Sequence, residues 1–242
     1  EAFSVADYVE LARGCVSDIR DRGRLPIVVG GTGLYISALV NNIKFDDTGS
    51  DLKFREEMKA FASENGNIAL WERLKAVDPQ TAQRLHPNNV NRVIRALEVF
   101  HLSGNTISLA QEKSRLEESP YRACFLMPDY PREDLYGRIN RRVDIMLERG
   151  LEEEAREFFF HSDYVTAAQA IGYKELKPYL DGEKELSECV ERLKQATRNY
   201  AKRQLTWFNK IEGLNKIKIE KDTDGEKISE IAENLVKRYS FF

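Results

Sequence analysis

Apolar positions recur at helical spacing through most of the chain, and the exceptions are short. Ser4 and Asp7, with Val5, Tyr8, Val9 and Leu11 behind them, predict a capped helix running towards Arg22-Gly23. Residues 25–29 (LPIVV) form a β-branched run that predicts a buried strand. Gly30-Gly31-Thr32-Gly33 follows at once, and then Leu34, Tyr35, Ala38 and Leu39 at helical spacing, closed by Asn41 and Asn42. Strand, glycine turn and helix in that order is the elementary step of a parallel α/β sheet.

Residues 46–51 (DDTGSD) are rich in turn formers and predict a boundary. From residue 51 to about 118 the pattern is helical only. Phe54, Met58 and Phe61 make one apolar stripe, and Ile68, Leu70, Leu74 and Val77 make a second that stops at Asp78-Pro79. Val90, Val93, Ile94, Leu97 and Phe100 make a third, between His86-Pro87-Asn88 and Ser103-Gly104. Residues 112–118 (EKSRLEE) read as a solvated charge run. Strand character returns at 121–127 (YRACFLM), and a long helix with Leu135, Ile139, Val143, Met146 and Leu147 ends at Arg149-Gly150. Further helices are predicted at about 151–160, 173–180 and 186–208, and the alternation of Ile217 and Ile219 predicts a strand before one last helix. The expected class is α/β: a parallel-sheet core in two parts, 1–45 and 121–242, interrupted by an all-helical insertion over 46–120.

Composition narrows the picture. The chain has 242 residues, 42% hydrophobic and 32% charged, too apolar for wholesale disorder. No apolar run approaches the roughly 20 residues that cross a bilayer, and Glu1-Ala2-Phe3-Ser4 has neither the basic nor the apolar region of a signal peptide. Three scattered cysteines, Cys15, Cys124 and Cys189, point to a reducing cytoplasm instead of a disulfide frame or zinc site. With 37 Lys plus Arg against 40 Asp plus Glu, the net charge of −3 does not advertise nucleic acid, so any such role must come from local clustering.

Four constellations could carry chemistry. A glycine turn between strand and helix exposes backbone N–H groups and a positive helix end, so Gly30, Gly31, Thr32 and Gly33 suit an anion, with the Thr32 hydroxyl a donor to a leaving oxygen. A tight turn with its glycines at positive φ would read the same way. It is not a Walker A loop, since no Gly-Lys-Ser/Thr follows. Arg138 and Arg142, four apart, share a helix face away from Ile139 and Val143 and could grip a diphosphate bidentately. The same face could instead be solvated and paired with Glu133, Asp134 or Glu148. Lys194, Arg198 and Lys202 fall at i, i+4, i+8, beside Arg192 and Arg203, as a basic stripe suited to phosphates or to water, with Tyr200, Trp207 and Phe208 read as core anchors. Asn91, Arg92 and Arg95, opposite the third apolar stripe, could contact bases and phosphates or be plain surface, and Arg55 is equally open. His86, His101 and His161 have no metal-spaced or nucleophilic partner and read as structural or exposed.

Together the segments 25–35 (LPIVVGGTGLY), 86–104 (HPNNVNRVIRALEVFHLSG), 138–143 (RINRRV), 169–175 (QAIGYKE) and 198–208 (RNYAKRQLTWF) resemble the tRNA dimethylallyltransferases, also called tRNA isopentenyltransferases, of bacterial type. The resemblance runs from about Ser4 to about Phe208. It implies transfer of a dimethylallyl group from dimethylallyl diphosphate to N6 of adenosine 37, in tRNAs reading codons that begin with U. It implies a P-loop-type α/β core whose helical insertion grips the anticodon stem-loop, with Mg²⁺ accompanying the diphosphate, in a monomer. By motif match, Thr32 would contact the bridging oxygen of the leaving diphosphate and Arg142 its non-bridging oxygens, with Gly30, Gly31 and Arg138 beside them. Arg55, Asn91, Arg92, Gln169, Gly172, Lys174, Lys202 and Arg203 fall in blocks that face tRNA in the family.

One departure bears on activity. The family pattern carries a GPTxxGKT-like P-loop and a catalytic Asp upstream of this region, and neither motif occurs in these 242 residues. The resemblance therefore implies an N-terminally truncated core, Mg²⁺ ligands lying outside this chain, and a polypeptide inactive on its own. The alternative function is a catalytically inactive tRNA-binding protein; a nucleotide kinase fits the core but explains neither the glycine turn nor Lys202-Arg203-Gln204.

Overall fold

The computed structural model describes residues 3–43, 49–116, 119–161, 167–220 and 223–239. They form a mostly helical α/β chain with a small parallel sheet. Two compact units emerge: Phe3–Val28 with Leu34–Arg122, and Val29–Gly33 with Ala123–Phe242. The second division falls beside the expected boundary at 120. Residues 3–28 cluster with the helices, whereas the expected partition joined 1–45 to 121–242. Helix α1 (Val5–Asp21) accounts for this, because it packs on α2 (Gly33–Val40): Tyr8 stacks on Tyr35 at 4.8 Å, and Arg13 donates to Asn42 Oδ1 at 2.5 Å. Residues 46–48 of the expected linker at 46–51 lie outside the described residues, and its last residue, Asp51, is the N-cap of a helix.

Helix starts follow local chemistry. Ser4 caps α1 by accepting from the Asp7 N–H, and Asp7 returns a bond to the Ser4 N–H. Asp51 caps α3 (Leu52–Asn65) through Phe54 N–H, and Asp78 caps α5 (Pro79–Arg84) through Thr81 N–H with proline at the first turn. Between them lies α4 (Asn67–Val77), and α6 (Val90–Ser103) ends at Gly104 in the left-handed conformation before α7 (Ile107–Leu116). The helical region expected from 51 onward is thus found, apart from the end of the charge run beyond Glu112, whose side chains lie outside the described residues. Its core is Ala62, Leu70, Leu74, Ala82, Val93, Ile94, Ala96 and Leu97, flanked by Phe54, Met58 and Phe61. Ile68 does not join it: in the first turn of α4 it points to solvent.

In the other unit α8 (Arg132–Glu148), α9 (Leu151–His161), α10 (Tyr173–Leu180) and α11 (Leu186–Phe208) bury Val143, Leu151, Ala155, Leu176, Cys189 and Leu193. Strand β1 (Leu126–Asp129) pairs in parallel with β2 (Asn215–Lys218), Leu126 opposite Asn215, and α12 (Gly225–Lys237) follows. The β1 strand begins five residues later than the run at 121 suggested and contains Pro128, which a two-stranded sheet tolerates because each strand has an unpaired side.

Residues 25–29 correct the expectation of a buried strand. They form no strand, with Ile27 78% and Val29 90% exposed. Apolar, β-branched sequence favours an extended backbone, yet a strand exists only through a neighbour's hydrogen bonds. The two described strands pair with each other.

Candidate active site and nucleic-acid interface

The glycine turn is shaped by close approach, not by left-handed backbone. Gly30, Gly31 and Gly33 are absent from the glycines with positive φ, which sets aside the positive-φ alternative. A Cβ on Gly31 would stand 1.8 Å from Gln204 Nε2, and one on Gly33 would stand 2.3 Å from Trp207 Cδ1. Gln204 Nε2 donates to the Gly31 carbonyl at 3.1 Å. Two glycines therefore let α11 lie directly on the turn, while Gly30 has open space around it and Thr32 is exposed. Helix α2 starts immediately after Thr32, so its N-terminal end faces the turn.

Helix α11 also holds α8. Arg198 Nη1 donates to Asn140 Oδ1 at 2.6 Å, and the half-buried Lys194 lies 2.8 Å from Asp144, a contact that raises its pKa above the usual lysine value. The Arg198 and Gln204 anchor points are six residues apart, about 9 Å along the axis at 1.5 Å per residue. One helix thus fastens both the turn and the arginine-bearing helix.

The basic stripe divides accordingly. Lys194 and Arg198 are structural and Arg192 pairs with Glu188, whereas Lys202 and Arg203 stay exposed. Arg203 lies over the Tyr200 ring at 5.5 Å. Lys202, Arg203, Thr206, Trp207 and Lys210 line an open groove of about 480 Å³ with Asn199. Trp207, expected as a core anchor, is 43% exposed, because its ring rests on Gly33 and turns its other face to this groove.

On α8, Arg138 and Arg142 are exposed on the side away from buried Val143. Arg138 lies over the Tyr130 ring at 4.9 Å. Among the described residues neither forms an ion pair with Glu133, Asp134 or Glu148, so the paired-surface alternative is not found. Gln169 ends a single 3-10 turn (Ala167–Gln169), and Gln169 and Lys174 are exposed. Gly172, at φ 116°, precedes α10, a conformation that only glycine adopts without strain, and its N–H is bound by the Glu175 carboxylate.

In the helical unit Asn91 and Arg92 are exposed on α6. Arg55 and Arg95 both bind Glu98, a carboxylate that sequence reasoning passed over. Among the histidines, the His86 ring nitrogen accepts the Asn88 N–H, and His101 stacks on Phe54 at 4.4 Å. Among the described residues no three His, Cys, Asp or Glu side chains are grouped to hold a metal ion, and no helix is long and apolar enough to cross a membrane.

Comparison with known proteins adds identity to this geometry. A family model described as IPP transferase matches residues 1–211. A tRNA dimethylallyltransferase of Acetivibrio thermocellus is 45% identical over 230 residues, covering 94% of this chain and 74% of its own. Another, of Geobacillus thermodenitrificans, is 50% identical, covering 86% and 66%. The crystal structure of the tRNA isopentenylpyrophosphate transferase of Bacillus halodurans, 39% identical, superposes with a TM-score of 0.65 over 99% of this chain and 76% of that one. A eukaryotic dimethylallyltransferase acting on tRNA, 27% identical, superposes with a TM-score of 0.78 over 98% and 63%. The chain thus spans about two thirds to three quarters of the length of these relatives. They align with almost all of it, so the comparisons lend no support to the expected inactivity.

Proposed function

We propose, for a chain that belongs to the IPP transferase family, that it transfers a dimethylallyl group from dimethylallyl diphosphate to N6 of adenosine 37 in tRNAs reading codons beginning with U. The observation that carries this reading is that one helix, α11, seats the glycine turn through Gln204 and fastens the arginine-bearing helix α8 through Asn140 and Asp144, while its own Lys202 and Arg203 remain open. In the reaction the allylic C–O bond breaks, an N6–C bond forms, the N6 proton is lost and diphosphate departs. An allylic carbon needs little activation of its nucleophile, so the barrier lies in stabilising the leaving charge. The Thr32 hydroxyl donates to the bridging oxygen. Arg142 donates to non-bridging oxygens, with Arg138 beside it, and the turn amides at Gly30 and Gly31 complete the donor set.

The adenine must leave its stack to reach the allylic carbon, which gives the RNA grip a purpose. Residues 46–120 act as the insertion that holds the anticodon stem-loop through Arg55, Asn91 and Arg92, and Gln169, Gly172, Lys174, Lys202 and Arg203 contact RNA from the remaining chain. The core belongs to the P-loop type, and the protein works as a cytoplasmic monomer. Mg²⁺ accompanies the diphosphate. The described residues do not fit a Mg²⁺ site of their own, and each step above uses the chain's own donors. The alternative of an inactive tRNA binder is not favoured, since relatives bearing the transferase name align with up to 98% of the chain.

The test is incubation of the protein with unmodified tRNA and dimethylallyl diphosphate, followed by digestion to nucleosides and mass spectrometry. Adenosine gaining one C5H8 unit at position 37 is expected. Tight tRNA binding without that product would move the function to RNA binding alone.

A further inference from the structure

Thr32 sits between two seats. Gln204 and Trp207 are three apart on α11, so they share one face of it, and they press on the residues to either side of Thr32. A Cβ on Gly31 would meet Gln204 Nε2 at 1.8 Å, and one on Gly33 would meet Trp207 Cδ1 at 2.3 Å. The two contacts differ in kind. Trp207 fills space, whereas Gln204 also makes a directed bond, its Nε2 donating to the Gly31 carbonyl at 3.1 Å.

That bond sets the direction of a second group. None of the described peptide bonds is cis, and in a planar trans peptide the C=O of one residue and the N–H of the next point in opposite directions. Since the Gly31 carbonyl is turned to Gln204, the Thr32 N–H is turned away from it. Gln204 is half-buried and Thr32 exposed, and the Thr32 N–H meets no acceptor among the described residues. Thr32 therefore offers two donors, its hydroxyl and its N–H, one residue before α2 starts at Gly33.

Glycine makes this orientation conditional. Without a Cβ, Gly31 admits both ways in which its peptide with Thr32 can face. In the turned-over arrangement the Gly31 carbonyl would stand where the Thr32 N–H now points and would oppose an anion with an acceptor. The missing Cβ that admits Gln204 thus also frees the peptide, and the Gln204 amide is the group that fixes its direction. A donor set in advance acts on developing charge without reorganising during the reaction.

We propose that Gln204 is a positioning residue for diphosphate departure: by holding the Gly31 carbonyl it keeps the Thr32 N–H aimed away from α11, where that amide joins the Thr32 hydroxyl in donating to the leaving diphosphate. The proposal rests on the transfer reading above and adds to it the group that presets its donor.

The experiment uses the whole protein and reads transfer kinetics, inhibition by inorganic diphosphate, RNA binding by fluorescence anisotropy, and thermal unfolding. Gln204→Met keeps the length of the side chain but has no donor. It is expected to lower kcat about tenfold, less than for a charge-stabilising donor removed outright, because the peptide still samples the productive direction. The diphosphate concentration that half-inhibits should rise by a similar factor. Kd and KM for RNA should stay within about twofold of the parent's, and the melting temperature should fall by no more than about 4 °C, as for one hydrogen bond. A Gln204→Met protein that melts earlier but keeps the parent's kcat and diphosphate inhibition overturns the proposal, leaving Gln204 as a fastening of α11. A loss of RNA binding that matches the loss of kcat overturns it too, because the bond would then hold the helix and not the peptide. Should Gln204→Met fail to fold, Gln204→Glu decides. It keeps the shape but offers the Gly31 carbonyl only acceptors, so lower kcat with parental RNA binding is expected, and parental kcat would overturn the proposal. A parent protein that yields no prenylated adenosine would sink the transfer reading itself, an outcome separate from variants that match an active parent.

Discussion

The two units use their charged side chains in opposite ways. In the helical unit the decisive charges turn inward: Glu98 is fully buried under two guanidiniums, and buried Asp78 accepts from Thr81 and Ser108 N–H groups. In the α8–α11 unit the inward pairs are few, Lys194 with Asp144 and Arg198 with Asn140. Arg138, Arg142, Lys202 and Arg203 are left at the surface. Charge whose partner is built into the chain serves the fold. Charge placed on a rigid element without a partner is available to a ligand.

That contrast breaks most readily at Arg142. Arg142→Ala should lower kcat by about a hundredfold, near 3 kcal/mol, since its contacts strengthen as diphosphate charge develops. Because its side chain is exposed and unpaired among the described residues, the melting temperature should hardly move. An unchanged kcat would remove Arg142 from the mechanism and place it with ordinary surface charge.

Glu98 supplies the opposite case, an effect on stability. Burial alone would raise its pKa, but the bonds from Arg55, Arg95 and the Asp51 N–H outweigh burial and lower it to about 2. A carboxyl with a lower pKa in the folded state contributes stability that is full above its ordinary value of 4.5 and is lost as pH falls towards 2. The contribution is about 3 kcal/mol. Urea unfolding between pH 6 and about pH 2 should show this loss in the parent, and Glu98→Gln should flatten that part of the curve. A parallel decline in both proteins would assign the acid sensitivity to other carboxylates.

Helices were legible in the sequence because their signals are local. Ser4 with Asp7, Asp78 with Pro79, and Gly104 each start or stop a helix using atoms within a few residues. The strand expected at 25–29 was not, because its run of Pro26, Ile27, Val28 and Val29 says nothing about which neighbour will pair with it. Glu98 was missed for a related reason. A single glutamate among Ala96, Leu97 and Val99 looks like helix surface until Arg55, 43 residues away, is seen to cover it. The turn before a helix was legible, but the reason for its glycines was not. That reason is the approach of Gln204 and Trp207, 173 residues downstream in the case of Gln204.

A smaller effect sharpens the RNA side of the comparison. Arg203→Ala should weaken RNA binding a few-fold and reduce the salt slope by about 1, as expected for one lost phosphate contact. Equal slopes in mutant and parent would make Arg203 a partner of Tyr200 only, on the structural side of the division.

The turn allows the finest division, through three alanine substitutions ranked by space. Gly33→Ala puts a methyl 2.3 Å from Trp207 Cδ1, where a rigid ring must move or the turn must part from α11. It should cost about 1–3 kcal/mol and take activity with it. Gly31→Ala meets the flexible end of Gln204, which can swing away at the loss of its bond to the Gly31 carbonyl, about 1 kcal/mol. Gly30→Ala meets nothing within 4 Å and needs no left-handed backbone, so stability should stay within about 0.5 kcal/mol. Melting temperature and kcat measured for all three separate two uses of glycine. If Gly30→Ala leaves stability intact yet lowers kcat, the open space at Gly30 belongs to the diphosphate. If it leaves both intact, the glycines of this turn serve the seat of α11, and the anion is held by Thr32 and the arginines alone.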